Sequence, residues 1–223
     1  MLKDPFFDQE PDELAKALLG KVLRRKYRHP QKGSVWLSAR IIETEAYFLT
    51  EKGSHSSLGF TEKRKAMFMS PGTIYMYYAR GGDSLNFSAR GDGNGVLIKS
   101  AYPHFDRKSP EATINIMQAL NPGNQGLRPA PKLCNGQTLL CRTLGLKVPD
   151  WNQRKTSAAE FHVENIGTEP STIIQCRRLG IPSGRDEHLK LRFVDARYAK
   201  HATSNPLTKR SWRQGEDYLI LSR

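Results

Sequence analysis

Two acids and a tyrosine alternate along one stretch near the start of the chain, Ile-Ile-Glu-Thr-Glu-Ala-Tyr at positions 41–47. Successive side chains of a β-strand point to opposite faces, so Glu43, Glu45 and Tyr47 would share one face. The other face would carry the alternate residues Ile42, Thr44 and Ala46. Two carboxylates beside an aromatic ring suit a cleft wall where an acid takes up a proton or stabilises positive charge. A solvated face whose acids balance nearby basic residues is the alternative.

A second aromatic pair repeats this spacing. Tyr75 and Tyr77 lie two positions apart in a stretch that predicts another strand, and His55 lies in the segment between the two strands. Together with a carboxylate, these rings would form a slot whose flat walls stack a planar base while an acid acts at the rim. Aromatic residues that simply pack in the core would give the same pattern.

The chain is strongly basic, with 35 lysine and arginine residues against 22 acids and a formal net charge of +13. A surplus of this size creates a field that attracts polyanions. Nucleic acid is therefore the first partner to consider. A basic surface that serves only solubility is the alternative.

Cysteine usage and the first residues indicate the cellular setting. Cys134, Cys141 and Cys176 form no CxxC pair, and an odd number suits a reducing compartment better than a disulfide framework. The spacing of Cys134 and Cys141 predicts that both face the core from one helix. The chain starts without the apolar run of a signal peptide, and no segment has the apolar length that spans a bilayer. We expect a soluble cytoplasmic protein.

The elements that would position these residues predict an α+β fold. Without a break in composition, the 223 residues predict a single domain over residues 1–223. Turn formers at 29–33 predict a hairpin between strands near 22–23 and 35–47. Other strands are predicted at 73–79, 85–89, 96–100, 172–176 and 189–194, and helices at 12–19, with Gly20 as C-cap, 109–120 and 133–144. The expected fold is a mixed α/β, or α+β, domain with a curved antiparallel sheet core flanked by helices.

Several motifs follow one another in a specific order. They are 41–47 (IIETEAY), 54–56 (SHS), 67–77 (MFMSPGTIYMY), 86–88 (NFS), 91–93 (GDG) with 96–98 (VLI), and 133–144 (LCNGQTLLCRTL). In this order they closely resemble the alkyladenine (3-methyladenine) DNA glycosylase family, also called methylpurine-DNA glycosylase. Matches run from Phe6 to Phe193, nearly the whole chain. Their co-occurrence makes the resemblance specific, whereas each motif alone would be weak.

The resemblance implies a monofunctional DNA glycosylase of base excision repair, and it implies no metal or cofactor. A monomer is expected because a duplex lesion presents one target. Such an enzyme flips a damaged purine, alkylated or deaminated, out of duplex DNA and hydrolyses its N-glycosidic bond, which leaves an abasic site. The implied lesions are 3-methyladenine, 7-methylguanine, hypoxanthine and ethenoadenine. By the same resemblance Glu45 is the general base that activates water, and Glu43 is structural. Four residues would surround the extruded base: Tyr47, His55, Tyr77 and Asn86, the last of which would crowd the exocyclic amine of normal guanine.

The turn after the Tyr77 strand departs from the family pattern, because it is one residue shorter. In this family a bulky residue of that turn is the wedge that holds the base step open. Counting from Pro71 puts the wedge at Arg80, whereas counting back from Asn86 puts it at Ala79. Alanine is too small to fill a vacated base position, which favours Arg80.

Lys99 is a second departure, since the family commonly has an arginine there that helps to hold the catalytic water. Lysine keeps the positive charge but loses the planar fork of donors. We therefore assign Lys99 to the catalytic group and expect a modestly different water geometry. A lyase reaction, in which the Lys99 amine attacks C1′ directly, is the alternative use of this residue.

Two other functional classes compete with this reading. A metal-dependent hydrolase would use Glu43, Glu45 and His55 as ligands, although their spacing matches no strong metal motif. A nucleic-acid-binding protein without catalysis would explain the charge but not the acids. A helix-hairpin-helix glycosylase is disfavoured because no Leu-Pro-Gly-x-Gly hairpin is present. The candidate phosphate contacts, or solvated loop charges, are Lys63, Arg64, Lys65 and Arg80.

Overall fold

The computed structural model describes residues 1–79, 81–209 and 211–222. Within these residues nine strands form one open sheet, and every pair of neighbouring strands is antiparallel. The strands are Val22–His29 (β1), Gly33–Tyr47 (β2), Ile74–Ala79 (β3), Gly82–Ser88 (β4), Gly95–Pro103 (β5), Phe161–Glu164 (β6), Thr172–Cys176 (β7), Arg192–Asp195 (β8) and Tyr218–Ser222 (β9). Their order is β3-β4-β5-β2-β8-β7-β9, and β1 pairs with both β2 and β6.

Short helices flank the sheet. In the described parts of the chain the α-helices are Asp4–Phe7 (α1), Pro11–Leu18 (α2), Ile114–Leu120 (α3), Gln137–Leu144 (α4) and Val148–Trp151 (α5). The 3₁₀ turns are His55–Leu58, Lys65–Phe68, Glu111–Thr113, Ala130–Lys132, Ala196–His201 and Pro206–Thr208. None of the described helices is long and apolar enough to cross a membrane. A large antiparallel sheet with few helices against it confirms the predicted fold class.

Helix α2 packs its apolar face against β2. Leu14 and Leu18 are fully buried in the main core, and the Thr44 hydroxyl of β2 donates to the Ala15 carbonyl oxygen at 2.9 Å. The helix ends one residue earlier than predicted, and Gly20 follows its cap with a left-handed φ of +81°. A Cβ at Gly20 would lie 2.5 Å from a backbone carbonyl oxygen, so the position requires glycine for space as well as conformation.

The predicted hairpin is confirmed, and β2 is its long second strand. A β-bulge in β2 then sets which face carries the acids: between Ile41 and Glu43 the register against β5 advances two residues on β2 but one on β5. Ile42 is the extra residue, and a bulge shifts the alternation of side chains by one. Ile41 and Ala46 pack in the main core, whereas Ile42 packs in a smaller cluster with Val194. The prediction that Ile42 shares a face with Ala46 is therefore wrong.

Other boundaries differ from the sequence prediction for local reasons. Helix α4 begins at Gln137, four residues later than predicted, because Gly136 has a φ of +103° that no right-handed helix contains. Cys134 thus precedes the helix that contains Cys141, although both are buried, free thiols as expected of core residues. Strand β8 starts at Arg192 rather than 189, and the short strands β6 and β9 were not predicted. Strand β7 has its predicted bounds.

Candidate active site

A cavity of about 570 Å³ opens beside strands β2 to β5. It is lined by seven of the residues that the sequence singled out, namely Tyr47, His55, Tyr75, Tyr77, Ala79, Asn86 and Lys99. The segments 135–139 and 179–182 complete much of the wall. Glu45 lies beneath the wall with 0% of its surface exposed, in contact with Tyr47 and Lys99. In the described chain, no group of three His, Cys, Asp or Glu side chains is arranged to hold a metal ion.

The two oxygens of Glu45 have different surroundings. Oε2 accepts a hydrogen bond from the Tyr47 hydroxyl at 2.7 Å. Oε1 lies 3.4 Å from the Lys99 ammonium nitrogen and accepts no hydrogen bond from any described residue. One oxygen therefore fixes the carboxylate, and the other remains available to a further donor.

Glu43, two residues earlier, is fully engaged. Its Oε1 accepts from Arg192 Nε at 2.7 Å and from the Thr203 hydroxyl at 2.6 Å, and its Oε2 accepts from the Ser100 hydroxyl at 2.6 Å and from the Thr203 amide at 3.0 Å. These four donors join β2, β5, β8 and the segment after it. A carboxylate with every strong acceptor site in use is suited to holding strands together, which distinguishes Glu43 from Glu45.

Electrostatics keep Glu45 ionised. Burial alone would raise its pKa. The positive charges of Lys99 and Arg192 lower it, as do the Tyr47 hydrogen bond and the charge of Arg178, and the resulting pKa lies below the ordinary value of 4.5. Burial and the neighbouring carboxylate raise the pKa of Tyr47, so its hydroxyl stays protonated as a donor.

Lys99 reaches Glu45 because of a second irregularity in the sheet. Between Glu43 and Thr44 the register advances one residue on β2 but two on β5, so Lys99 is an extra residue of β5. Bulges commonly re-aim a side chain next to a functional site. The Lys99 side chain is 15% exposed, and its nitrogen lies 3.5 Å from Gln137 Oε1 as well as beside Glu45.

Aromatic rings form one wall of the cavity. The rings of Tyr75 and Tyr77 stack at 5.3 Å with an interplanar angle of 22°, and the His55 ring lies 4.3 Å from that of Tyr77. His55 Nδ1 is 3.3 Å from the Tyr75 hydroxyl. Burial lowers the pKa of His55, and the charges of Arg64 and Arg185 lower it further. His55 is therefore a neutral imidazole at physiological pH.

Asn86 is held rigidly at the cavity wall. It lies in β4 opposite Tyr75, and its Nδ2 donates to the Tyr75 carbonyl oxygen at 3.0 Å. Asn86 also pairs with Leu97 of β5, so strands on both sides fix its backbone. The residue is 6% exposed, and an amide fixed in this way can recognise a ligand by shape and by hydrogen bonding.

Sequence reasoning missed the support beneath Tyr47. The Arg178 guanidinium carbon lies 4.5 Å from the centre of the Tyr47 ring. Glu51 binds both Nη atoms of Arg178, at 2.6 and 2.5 Å, and the Ala46 carbonyl oxygen accepts from Nη1 at 2.9 Å. These partners are far apart in the sequence, so no local pattern signals them. The sequence analysis also assigned no role to Arg192, which pairs with Glu43.

Three of the four candidate phosphate contacts, Lys63, Arg64 and Lys65, lie outside the cavity wall. Lys65 is 3.6 Å from Glu62, and Arg64 donates to the Gly59 carbonyl oxygen. Lys63 is exposed and pairs with none of the acids that the structure describes. The segment carries exposed Phe60 beside these charges.

Of the two wedge candidates, Arg80 lies outside the described residues. Ala79 ends β3, is paired with Gly82 and lines the cavity. Tyr78, which the sequence analysis did not single out, also lines the cavity and is 62% exposed. An aromatic side chain is therefore present at the mouth of the cavity beside the shortened turn.

Comparisons with known proteins identify the family of the chain. The family model described as methylpurine-DNA glycosylase (MPG) matches residues 5–199. A protein of Pseudomonas savastanoi pv. phaseolicola with the provisional name 3-methyladenine DNA glycosylase is 58% identical over 223 residues, which cover 100% of this chain and 97% of that protein. A Pseudomonas aeruginosa protein (strain UCBPP-PA14) with the same provisional name is 56% identical over 99% of this chain and 90% of its own.

A human protein named DNA-3-methyladenine glycosylase is 33% identical over 183 residues, which cover 79% of this chain and 59% of the human protein. The matches extend across almost all of the sheet described above. They confirm the predicted family and, with it, the predicted enzyme class of DNA glycosylases. The chain belongs to the methylpurine-DNA glycosylase family.

Proposed function

We propose that this protein is a monofunctional glycosylase of base excision repair, which removes alkylated or deaminated purines from duplex DNA by means of a water that Glu45 activates. One observation carries the proposal: Glu45 is a fully buried, ionised carboxylate, one oxygen of which lies beside Lys99 but accepts no hydrogen bond from the described residues, beneath a cavity with aromatic walls. The neighbouring acid Glu43 is excluded as the base, because four donors occupy it.

In the chemical step, the water oxygen forms a bond to C1′ while the bond from C1′ to the purine nitrogen breaks. The base takes the electron pair of that bond, and the water proton goes to Glu45. A methylated purine already carries a positive charge and leaves as a neutral molecule, so it needs no strong general acid. Hypoxanthine also takes up a proton, which balances the one that Glu45 later releases. The carboxylate also stabilises the positive charge that develops on the sugar.

The cavity supplies the binding energy for the extruded base. Taking a nucleotide out of the stack costs a few kcal/mol, and least for damaged or mispaired bases. Stacking on aromatic side chains contributes about 1–3 kcal/mol per base in single-strand binders. Tyr47 and Tyr77 are the expected partners, with His55 beside them. Asn86 would reject normal guanine, because a fixed amide leaves no room for the exocyclic amine.

The surface supports a duplex DNA partner and a monomeric, single-domain enzyme. Lys63, Arg64 and Lys65 would contact phosphates next to the cavity mouth, and Arg80 is the favoured wedge. A duplex lesion offers one target, so one copy of the chain suffices. The residues around Glu45 supply the base and the positive charges that the reaction needs, without a cofactor.

Single-turnover base release tests the proposal. Duplex DNA with one hypoxanthine, and methylated DNA, are incubated in excess chelator with the unmodified protein and with Glu45→Gln. Glu164→Gln is the matched control, because Glu164 is likewise a carboxylate beside a basic side chain, that of Arg24 at 2.7 Å, but lies away from the cavity. We expect release by the unmodified protein and the control and none by Glu45→Gln. Release by Glu45→Gln at the unmodified rate would move the base elsewhere, and loss of all release in chelator would indicate a metal-dependent enzyme.

A further inference from the structure

Arg192 is fully buried, as Glu45 is, and it faces Glu45. It lies directly opposite Glu45 in the pairing of β8 with β2. Residues opposite each other in an antiparallel pair extend their side chains on the same face, with Cβ atoms about 4.5–5.5 Å apart. The neighbouring pair, Thr44 and Phe193, faces the main core, so Glu45 and Arg192 share the opposite face.

The Arg192 guanidinium is engaged along one edge only. Nε donates to Glu43, and Nη2 donates to the Thr203 hydroxyl at 3.1 Å and to the Ser204 carbonyl oxygen at 2.7 Å. Nη1 is buried and donates to none of the residues that the structure describes. Glu45 Oε1, across the strand pair, is a buried acceptor that likewise receives no hydrogen bond from the described protein.

A buried donor and a buried acceptor that make no hydrogen bond within the described protein are unusual, because nearly all buried polar groups are hydrogen-bonded. A small polar molecule that both accepts and donates would satisfy the two atoms together. In the proposed reaction that molecule is the water nucleophile, since Glu45 must take a proton from it. Lys99, 3.4 Å from the same carboxylate oxygen, is a point charge and lacks the directional fork of an arginine.

We propose that Arg192 is a third group of the catalytic centre, which orients the attacking water by donating a hydrogen bond to its oxygen from Nη1 while Glu45 accepts its proton. The inference rests on the proposed function and adds the donor that Lys99 cannot supply alone. The water oxygen keeps a lone pair directed at C1′, because its other contacts are fixed by Arg192 and Glu45. If Arg192 only neutralised Glu43, its charge and its Nε hydrogen bond would be enough. That role would not account for the buried Nη1, which donates to no described residue.

The charges that face Glu45 decide how each variant shifts its titration. They come from Lys99 on β5, Arg192 on β8 and Arg178 after β7, together with the Tyr47 hydroxyl on β2. Glu43 on β2 and Cys176 on β7 are the other titratable residues near Glu45 and Arg192. Removal of the Arg192 charge raises the pKa of Glu45. Because Glu45 acts as a carboxylate, the acid limb of the rate profile then moves to higher pH.

Three variants test the inference: Arg192→Lys, the neutral pair Glu43→Gln with Arg192→Met, and Glu43→Gln alone. The neutral pair leaves no buried charge unpaired, which protects the fold. Single-turnover release of hypoxanthine is measured against enzyme concentration and pH, and the melting temperature shows which variants fold. The plateau rate reports the chemical step, and the enzyme concentration at half-plateau reports binding.

We expect Arg192→Lys to lower the plateau about 10- to 100-fold without moving the half-plateau concentration or the acid limb, because charge is kept and a directional donor is lost. The neutral pair lowers the plateau and also moves the acid limb to higher pH. Glu43→Gln keeps Arg192 and its charge, so its acid limb does not move to higher pH.

An unmodified plateau in Arg192→Lys overturns the inference, and so does a folded neutral pair with the original plateau and acid limb. If the neutral pair does not fold, Arg192→Lys decides alone by the same criterion. If Glu45→Gln is inactive while the Arg192 variants are fully active, only the role of Arg192 is refuted and the proposed function stands. Full activity of Glu45→Gln removes the proposed function instead.

Discussion

The Tyr47 hydroxyl donates a hydrogen bond to Glu45 Oε2 at 2.7 Å, although both residues belong to one face of the same strand. This contact joins the ring that would stack the base to the carboxylate that would activate the water. The Arg178 guanidinium packs over the Tyr47 ring, 4.5 Å from its centre. The position of a purine stacked on Tyr47 and the position of the Glu45 carboxylate would therefore depend on each other.

The change Tyr47→Phe should separate these two roles. Phenylalanine keeps the stacking ring but removes a hydrogen bond to a charged acceptor, a contact worth about 1.5–3 kcal/mol. Since that bond lowers the pKa of Glu45, its loss raises the pKa, and the acid limb of base release should move to higher pH. The rate above the limb should fall less than in Tyr47→Leu, which also loses the stack.

Single-turnover release across the acid range is the measurement. Tyr102→Phe is the control, because Tyr102 lies in β5 and packs on Tyr198 and His201 without lining the cavity. An acid limb that stays in place in Tyr47→Phe would show that the hydroxyl does not set the pKa of the base.

Much of this site follows from the sequence, because its parts are local. The alternation in the 41–47 stretch predicts the strand, and motif resemblance identifies Glu45, Tyr47, His55, Tyr77 and Asn86. The choice of Glu45 over Glu43 could not come from alternation, since both acids share a face. It depends on four donors to Glu43, all of them on residues more than fifty positions away.

The bulges at Ile42 and Lys99 could not be predicted from the sequence either. A bulge is a property of the pairing between two strands, and neither strand shows it alone. The same limit explains why the edge strand β9 and the four-residue β6 were missed, since pairing with a neighbour defines them more than composition does. The positive φ of Gly136 delays the start of α4. This glycine is visible in the sequence, but the apolar periodicity around it still predicts a helix from 133.

Replacement of Lys99 tests the departure from the family arginine. Lys99→Arg should keep base release near that of the unmodified protein or improve it, because an arginine keeps the charge and adds donors. Lys99→Met should move the acid limb to higher pH, since the Lys99 charge is the strongest of those that lower the pKa of Glu45. The pH profile of single-turnover release measures both, and a large loss in Lys99→Arg would contradict the assignment. Borohydride trapping of a protein–DNA adduct by the unmodified protein would support the lyase alternative.

The buried pair of Arg178 and Glu51 should be coupled in stability. Arg178→Met leaves Glu51 buried without its partner, which typically costs about 3–5 kcal/mol, whereas Arg178→Met with Glu51→Gln should cost much less. Urea unfolding of the two single variants and the double variant completes a double-mutant cycle. Additive losses would show that the pair contributes no mutual stabilisation.

Base release by the folded double variant should still be slower, because the Tyr47 ring has lost its support. The matched control is the remote pair Arg24 and Glu164, which also joins a buried guanidinium to a carboxylate. Its double replacement, Arg24→Met with Glu164→Gln, should affect stability alone. Equal rates in the two double variants would remove the supporting role of Arg178.

The basic segment beside the cavity should set part of the salt dependence of DNA binding. Each phosphate contact that is lost lowers the slope of log K against log salt by about one. Lys63→Ala and Arg64→Ala should each do so, whereas Lys26→Ala, an exposed change on β1 away from the cavity, should not. Binding of Glu45→Gln to a lesion duplex at several salt concentrations is the measurement. Identical slopes in all three variants would assign the phosphate contacts to other residues.

The wedge can be assigned by comparing duplex with single-stranded substrates. A wedge fills the gap that a flipped nucleotide leaves in a duplex, so its loss should slow release from duplex DNA and spare single-stranded DNA. Arg80→Ala is expected to show this pattern, because alanine at 79 is too small to serve. Tyr78→Ala is the matched variant, since Tyr78 is an exposed aromatic at the cavity mouth. A duplex-specific loss in Tyr78→Ala and not in Arg80→Ala would transfer the wedge to the tyrosine, which would then compensate for the shortened turn.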